Sequence, residues 1–107
     1  MILVSKYIVP NGFTGIALFP FVFVKYAYLK LNQVFVNHER IHLKQQVELL
    51  ILPFFIWYGL EFLVRYVYFK NWHKAYHNIS FEREAYGNET DLEYLKKRPI
   101  WNFLKYL

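Results

Sequence analysis

Residues 37–42 read Asn37-His38-Glu39-Arg40-Ile41-His42, and this stretch constrains how the other elements of the chain can be arranged. Asn37 is a suitable helix N-cap, because its side chain can accept a hydrogen bond from a free N–H of the first turn. The helical pattern continues to Leu52, and Pro53 then kinks or restarts the helix because it removes a backbone hydrogen bond. His38 and His42 are four positions apart, so the sequence predicts that both project from one helix face.

The pattern HExxH, residues 38–42, is typical of a zinc-binding helix. Two histidines on one helix face can bind a single zinc ion, and Glu39 lies where it can take a proton from a metal-bound water. Zinc lowers the pKa of such a water to about 7 and polarises a carbonyl group. The alternative interpretation is a capped helix with two histidines on its surface. A zinc site requires a third protein ligand, and cysteine is absent from the chain.

Glu82 is a candidate for the third ligand. It stands in the first turn of a predicted helix, roughly Phe81 to Leu95, for which Ser80 is a suitable N-cap. Tyr86 and Glu89 follow on the same face as Glu82. Without a metal, Glu82 would only compensate the helix dipole.

His73 and His77 form a second pair of histidines that repeats the four-residue spacing. Without a metal, this pair would be exposed to solvent. Hydrolysis of a carbonyl compound by a zinc-bound water also needs a hydrogen-bond donor besides the metal, to stabilise the oxyanion. The candidates for that donor are Tyr76, His77 and Tyr86, and the sequence does not choose among them.

The combination of HExxH with a helix-borne glutamate in an E-x-x-A context, residues 82–85, resembles the gluzincin-clan zinc metallopeptidases. The chain is most similar to the minigluzincins and to the catalytic cores of membrane CAAX-protease-like and BlaR-like peptidases. The likeness covers Val34–Gln46 and Ser80–Glu89 by motif, and the rest only by length and element order. It implies that His38, His42 and Glu82 bind Zn²⁺. It further implies that Glu39 is the general base and acid, and that an edge strand, Ile16–Tyr26, holds an extended peptide above the metal.

The chain departs from the family pattern at two points. The membrane relatives place an aspartate four residues after the third ligand, where this chain has Tyr86, so Tyr86 or Glu89 would have to support a zinc-binding histidine. Minigluzincins use a histidine as third ligand, which keeps His77 as the runner-up. Glu82 is favoured because it has the E-x-x-A context and a cap before it.

The N-terminal third of the chain predicts strands. Ile2–Val9 is rich in β-branched and aromatic residues and ends at Pro10-Asn11-Gly12, which is typical of a turn. Ile16–Tyr26 predicts an edge strand or a bulged strand, since Pro20 lacks the N–H that a central strand donates. We therefore predict one α+β domain, residues 1–107, in which a small antiparallel sheet with an edge strand packs on about three helices. Its parts are a strand region (1–36), helices that carry the zinc site (37–95) and a basic-aromatic tail (96–107).

The apolar run Val47–Phe69 is long enough for one membrane span. It contains four interrupting residues, Glu48, Pro53, Glu61 and Arg65, and charges are costly inside a bilayer. A single crossing would also place the histidine pair and Glu82 on opposite sides of the membrane. We expect instead a helix pair bent at Pro53, either buried or lying on a membrane surface, or a shallow re-entrant segment. The alternative is that the run packs as core and as a dimer face.

Composition and charge narrow the class of partner. Apolar residues make up 56% of the chain and charged residues 20%, which excludes a disordered chain. Aromatic residues reach 22%, more than a domain of this size normally hides. The net charge of +5 and the positive mean hydropathy favour an anionic lipid surface over nucleic acid, so we expect no nucleic-acid partner.

The tail, residues 96–107, has three interpretations. It can anchor the chain at an anionic membrane interface. It can form a final amphipathic turn that covers the core. The resemblance to minigluzincins adds a third, a plug that blocks the cleft and keeps the enzyme latent.

The functional prediction is a minimal zinc metallopeptidase, a hydrolase acting on a peptide or protein substrate. We expect it at a membrane, at the cytoplasmic face, because the N-terminus lacks the features of a signal peptide. The alternative is a catalytically silent gluzincin-like subunit of a membrane-associated assembly, and a homo-oligomer is also open. The size of the chain supports the alternative, since 107 residues leave little room for specificity pockets.

Overall fold

The computed structural model describes residues 2–9 and 12–107, and these ranges contain five α-helices and one three-stranded sheet. The predicted α+β class is confirmed. The strands are β1 (Ile2–Val4), β2 (Gly15–Leu18) and β3 (Phe21–Val24). The helices are α1 (Gln33–Glu48), α2 (Leu52–Phe69), α3 (Trp72–His77), α4 (Ser80–Asn88) and α5 (Tyr94–Lys97), with 3₁₀ turns at Ala27–Leu31 and Asn102–Tyr106.

The sheet is mixed, whereas an antiparallel sheet was predicted. Its order is β1-β3-β2, with β2 antiparallel and β1 parallel to the central β3. β2 therefore lies at the edge away from β1, and β3 lies between the other two strands. β1 ends at Val4, and the rest of the predicted strand up to Val9 forms a turn and a bend. The predicted turn residues Pro10 and Asn11 lie outside the described residues.

The predicted edge strand Ile16–Tyr26 is a hairpin rather than one strand. β2 and β3 are joined at Phe19-Pro20, whose peptide bond is cis, and residue Leu18 pairs with Phe21. Pro20 therefore lies in the turn, where no ladder hydrogen bond is required of it. The first residue of β2, Gly15, has no room for a side chain, because a Cβ there would lie 2.3 Å from the Phe35 ring of α1. The edge strand thus sits directly on the helix that carries His38 and His42.

Helix α1 begins earlier than predicted, because Asn32 and not Asn37 is its N-cap. The Asn32 side chain accepts a hydrogen bond from the Phe35 N–H at 3.1 Å. Asn37 is buried inside the helix, and its amide donates to the carbonyls of Glu89 and Asp91 at 2.9 and 3.0 Å. This prediction was wrong because a buried asparagine can satisfy chain ends far away in sequence as well as its own first turn. Asn37 thereby ties the end of α4 to α1.

A sharp bend separates α1 from α2. Leu50 and Ile51 have φ values of 61° and 66°, a conformation that costs non-glycine residues on the order of 1–3 kcal/mol each. The two helices meet at 113°. Pro53 lies in the first turn of α2, where its missing N–H has no helical partner to lose. The predicted restart at Pro53 is confirmed, with the helix beginning at Leu52.

The predicted helix Phe81–Leu95 is shorter in the structure, since α4 ends at Asn88 and α5 is a separate turn. Ile79 occupies the N-cap position that was predicted for Ser80. Ser80 is instead the first helical residue, and its N–H donates to Glu61 Oε1 at 2.9 Å while its hydroxyl donates to the other carboxylate oxygen. A charge within the apolar run thus faces the protein and holds the start of α4 against α2.

The tail contributes to the core. Phe103 is 1% exposed and packs with Phe54, Ile79 and Phe81. Arg98 is also buried. Of the three interpretations of the tail, the structure shows the one in which it covers the core.

Helix α2 presents an unusual outer face. Within Leu52–Phe69, Phe54 alone is buried. The exposed apolar side chains that lie opposite the packed side are Ile56, Leu60, Leu63, Val64 and Val67. Among the described residues, no helix taken singly has both the length and the hydropathy of a membrane span; α1 and α2 meet those criteria only as a bent pair.

Candidate metal centre

Helices α1 and α4 bring three side chains to one point. His42 Nε2 lies 3.0 Å from Glu82 Oε1, His38 Nε2 lies 3.3 Å from the same oxygen, and the two Nε2 atoms are 3.2 Å apart. Within residues 2–9 and 12–107, these side chains form the one group of three potential ligands close enough to share an ion. All three are buried. The sequence pattern placed the histidines together, and the packing of α4 against α1 adds Glu82.

The spacing of these atoms suits a small divalent cation. Ligand atoms at about 2.0–2.1 Å from a tetrahedral zinc ion are separated from one another by about 3.3 Å. The separations of 3.0 to 3.3 Å come close to this value. Two imidazoles and one carboxylate are also a known zinc ligand set that leaves a fourth position open. The residues present therefore fit a zinc ion, although the triad alone does not distinguish zinc from other divalent metals.

Each of the three side chains also forms a hydrogen bond through its second polar atom, the one that faces away from the cluster. The partners are Glu89 Oε2 for His38 Nδ1 at 2.8 Å, Gln45 Oε1 for His42 Nδ1 at 2.8 Å, and the Tyr58 hydroxyl for Glu82 Oε2 at 2.7 Å. These hydrogen bonds orient the rings and engage one carboxylate oxygen. Consequently, two Nε2 atoms and a single carboxylate oxygen converge on the same point.

The electrostatics of the cluster favour a cation. Burial disfavours the charged forms, but attraction between the carboxylate and the rings of His42 and His38 outweighs it and holds the pKa of Glu82 well below its ordinary value. Burial is likewise outweighed at His42, whose pKa the carboxylates of Glu82 and Glu39 raise to about 9. In the absence of a metal, the negative charge of Glu82 is therefore balanced by a second proton on the His42 ring. A divalent cation bound at the same point would replace that proton.

Glu39 lies beside the cluster, buried to 7% exposure. Burial raises the pKa of its carboxyl group above the ordinary value, against the opposing effect of His42 and His38. A raised pKa suits a carboxylate that must both accept and return a proton near neutral pH.

A cleft of about 190 Å³ opens next to these residues. Its wall is mainly apolar, and its polar side chains include Glu39, His42 and Glu82. The apolar lining comprises Phe13, Ile16, Ala17, Phe54 and Phe55. Of the described residues that line the cleft, none belongs to the tail 96–107, so the structure shows the cleft free of this segment.

Of the oxyanion candidates, Tyr76 lies at the cleft and Tyr86 lines the neighbouring cavity. Tyr76 lines the cleft, and its ring lies edge-on to that of Tyr86 at a centroid distance of 6.4 Å. Burial, together with the charge of Glu82, raises the pKa of Tyr76 far above neutrality, so its hydroxyl stays protonated. The Tyr86 ring packs edge-on against His38 at a centroid distance of 4.5 Å. The supporting position behind His38, for which Tyr86 and Glu89 were candidates, is occupied by the Glu89 carboxylate.

His77 lies outside the triad. It is exposed at the end of α3, and its ring packs against Tyr86 and His73 at centroid distances of 4.6 and 4.9 Å. It does line a neighbouring polar cavity together with His38 and Glu39. The structure thus favours Glu82 as the third ligand.

The case for a metal site rests on this geometry. Comparison of the chain with protein-family models, with curated proteins and with solved structures found no match. The supporting evidence is therefore the convergence of the three ligand atoms, the hydrogen bond behind each of them and the position of Glu39.

Sequence reasoning missed two residues that hold the ligands. Gln45 lies three positions after His42, a helical spacing that could have indicated it. Tyr58 lies within the apolar run Val47–Phe69, far from both ligand motifs in the sequence. It reaches Glu82 only because α2 folds back after the bend at Leu50 and Ile51, and no local pattern indicates that contact.

Proposed function

We propose that the protein is a minimal zinc metallopeptidase in which His38, His42 and Glu82 bind the metal. The observation that carries the proposal is the convergence of their three ligand atoms beside an open cleft that Glu39 also lines. A carboxylate that is not needed as a ligand, placed next to a metal site, is the arrangement that general base catalysis requires. The resemblance of HExxH and the downstream glutamate to gluzincins points the same way.

In the proposed hydrolysis, the triad holds the metal, Glu39 transfers protons and Tyr76 stabilises the oxyanion. A zinc ion bound at the triad would lower the pKa of a water ligand to about 7 and polarise the substrate carbonyl. Glu39 accepts the proton of the attacking water and returns it to the leaving amine. Tyr76 donates its hydroxyl proton in a hydrogen bond to the carbonyl oxygen as negative charge develops there, because it lines the cleft and stays protonated.

Strand β2 is the proposed support for an extended substrate. It lies at the edge of the sheet, and Gly15, Ile16 and Ala17 line the cleft. On its outer edge the Gln46 side chain already pairs with the Ala17 carbonyl and the Phe19 N–H, each at 2.7 Å. A substrate backbone added as a further strand would therefore use the start of β2, next to the metal ligands.

The test is the metal content of protein purified without added metal, measured by elemental analysis. We expect about one zinc per chain in the wild type, loss of the metal in Glu82→Ala, and retention in His77→Ala. Both variants remove a polar side chain from the α3–α4 region, so His77→Ala controls for general damage. A wild type that takes up no zinc on dialysis against it would contradict the metallopeptidase. Zinc without peptide hydrolysis would favour the silent interaction subunit.

Association with a membrane surface is the second part of the proposal, and α2 supports it. The two charged residues within the helix, Glu61 and Arg65, are half-buried, whereas a helix exposed to water normally has its charges on the exposed face. Glu61 bonds to Ser80 of α4, and Arg65 follows one turn later on the same side. The outer face, by contrast, is apolar throughout. Basic residues lie at its margins: the half-buried Arg65 lines a groove together with Leu60 and Val64 of that face, and Lys70 is exposed at the end of α2. An apolar face bordered by basic side chains suits anionic lipid.

Sedimentation with vesicles of mixed neutral and anionic phospholipid tests this surface. We expect Leu63→Glu combined with Val67→Glu to weaken binding by at least about tenfold, since each residue loses an apolar contact worth more than 1 kcal/mol. Both positions are exposed, so the fold should persist. Leu31→Glu, at an exposed leucine outside α2, is the matched control and should bind like the wild type. A dimer that the double variant dissociates, with no vesicle binding, would assign the face to a second copy instead.

A further inference from the structure

We infer that Gln45 is a positioning residue that fixes the proton of His42 on Nδ1, and that the C-terminal segment holds Gln45 in place through Glu84 and Arg98. The inference rests on the proposed metal site, since its consequence is that the Nε2 atom of His42 is left free to bind the metal. It assigns a role at the site to three residues that the peptidase proposal does not use.

The orientation of the Gln45 amide follows from its partners. Its Nε2 lies 3.1 Å from the Phe81 carbonyl oxygen and 2.9 Å from Glu84 Oε1, both of which can only accept hydrogen bonds from it. A reversed amide would place an oxygen against two other oxygens. Oε1 must therefore face the His42 ring, at 2.8 Å from Nδ1. Because an amide oxygen is only an acceptor, Nδ1 must carry the proton.

This proton position matters for metal binding. A neutral imidazole carries one ring proton, and the nitrogen without it supplies the lone pair for a metal. With the proton on Nδ1, the free nitrogen is Nε2, which is the atom that faces His38 and Glu82. Gln45 is fully buried, so water cannot replace its oxygen. The proton that a metal would displace from the His42 ring is therefore the one on Nε2, while Nδ1 keeps its own.

Arg98 in turn holds the Glu84 side chain to which the Gln45 amide donates. Arg98 donates from Nη2 to Glu84 Oε1 at 3.0 Å and from Nε to the other oxygen. Neither side chain has any exposed surface. Arg98 belongs to the segment 96–107, which packs on the core instead of filling the cleft. A continuous series of hydrogen bonds therefore runs from that segment to a metal ligand.

The test compares two adjacent buried glutamines. Gln45→Met and Gln46→Met each replace a buried amide of α1 with an apolar side chain of similar size. The Gln46 amide bonds to β2 and not to a histidine. Zn²⁺ affinity is measured by competition with a chromogenic chelator, and folding by circular dichroism. We expect the dissociation constant for Zn²⁺ to rise about 10- to 100-fold in Gln45→Met and to stay within about twofold of wild type in Gln46→Met. An unchanged affinity in Gln45→Met would overturn the inference.

A second measurement requires no variant, in case Gln45→Met does not fold. Long-range ¹H–¹⁵N spectra of the zinc-loaded wild type report which ring nitrogen of His42 carries a proton. We expect a hydrogen-bonded Nδ1–H, and a proton on Nε2 would overturn the inference while leaving the metal site intact. A wild type that binds no Zn²⁺ would overturn the proposed metal site itself, so the two failures are distinguishable.

Discussion

Replacing Glu39 with glutamine is expected to lower peptide hydrolysis by about 100- to 10,000-fold, the range for removal of a general base, while zinc stays bound. Glutamine keeps the size of the side chain but cannot accept a proton from water. Because Glu39 is not one of the three converging ligands, its loss should leave the metal in place. The measurement pairs the rate of hydrolysis of a quenched fluorescent peptide mixture with zinc content.

Glu93→Gln is the matched control, since it makes the same chemical change at an exposed glutamate paired with Lys96. It should hydrolyse peptide at the wild-type rate. Zinc loss in Glu39→Gln would show that Glu39 is needed to hold the metal. Full activity with zinc retained would rule out Glu39 as the base and would remove the central element of the proposed mechanism.

Replacing Arg98 with methionine is expected to destabilise the protein by about 3–5 kcal/mol, the cost of removing one partner of a buried ion pair. Arg98 contacts two carboxylates, Glu84 and Glu48, and its own side chain is entirely buried. Burial alone would raise the pKa of Glu84, but hydrogen bonds from Arg98 outweigh it and keep that pKa lowered. Without Arg98, both carboxylates must become neutral or remain charged without a partner. A loss of this size is large beside a total stability of about 5–15 kcal/mol for a domain.

Denaturant unfolding of metal-free protein measures this loss, because bound zinc would add its own stabilisation. Lys97→Met is the control: it removes the neighbouring base, whose ion pair with Asp91 is largely exposed, and should cost less than about 1 kcal/mol. If Arg98→Met and Lys97→Met lose similar stability, the buried network does not hold the C-terminal segment as described.

The fold class and part of the site could be predicted because their signals are local. The four-residue spacing of His38 and His42 places them on one face of any helix that forms there. Glu82 was identified from its helix context and the likeness to gluzincins, and Glu89 from its place on the same face as Glu82. The α+β class followed from the strand-like start of the chain and the helical patterns after it, and Pro53 correctly indicated where a helix begins.

Other predictions failed where a residue had two physically reasonable partners. Asn37 suits a cap, but the helix begins at Asn32 and Asn37 bonds to the end of α4. The predicted strand Ile16–Tyr26 is apolar on both sides of Pro20, and the chain reverses there rather than bulging. The parallel pairing of β1 with β3 was not predicted, because strand patterns do not encode which strands become neighbours.

The sequence alone therefore indicated candidate ligands and a candidate base, with Glu82 and His77 both open as third ligand, since spacing along a helix is a short-range property. Tertiary structure decided what surrounds them. The bend at Leu50 and Ile51 brings Tyr58 back to Glu82, and the packing of the tail brings Arg98 through Glu84 to Gln45. These contacts join residues separated by up to 39 positions in the chain, and their formation depends on burying the whole set together. The sequence pattern of a single helix or strand does not predict such a hydrogen-bond network, because each of its hydrogen bonds is favourable only after the others have excluded water.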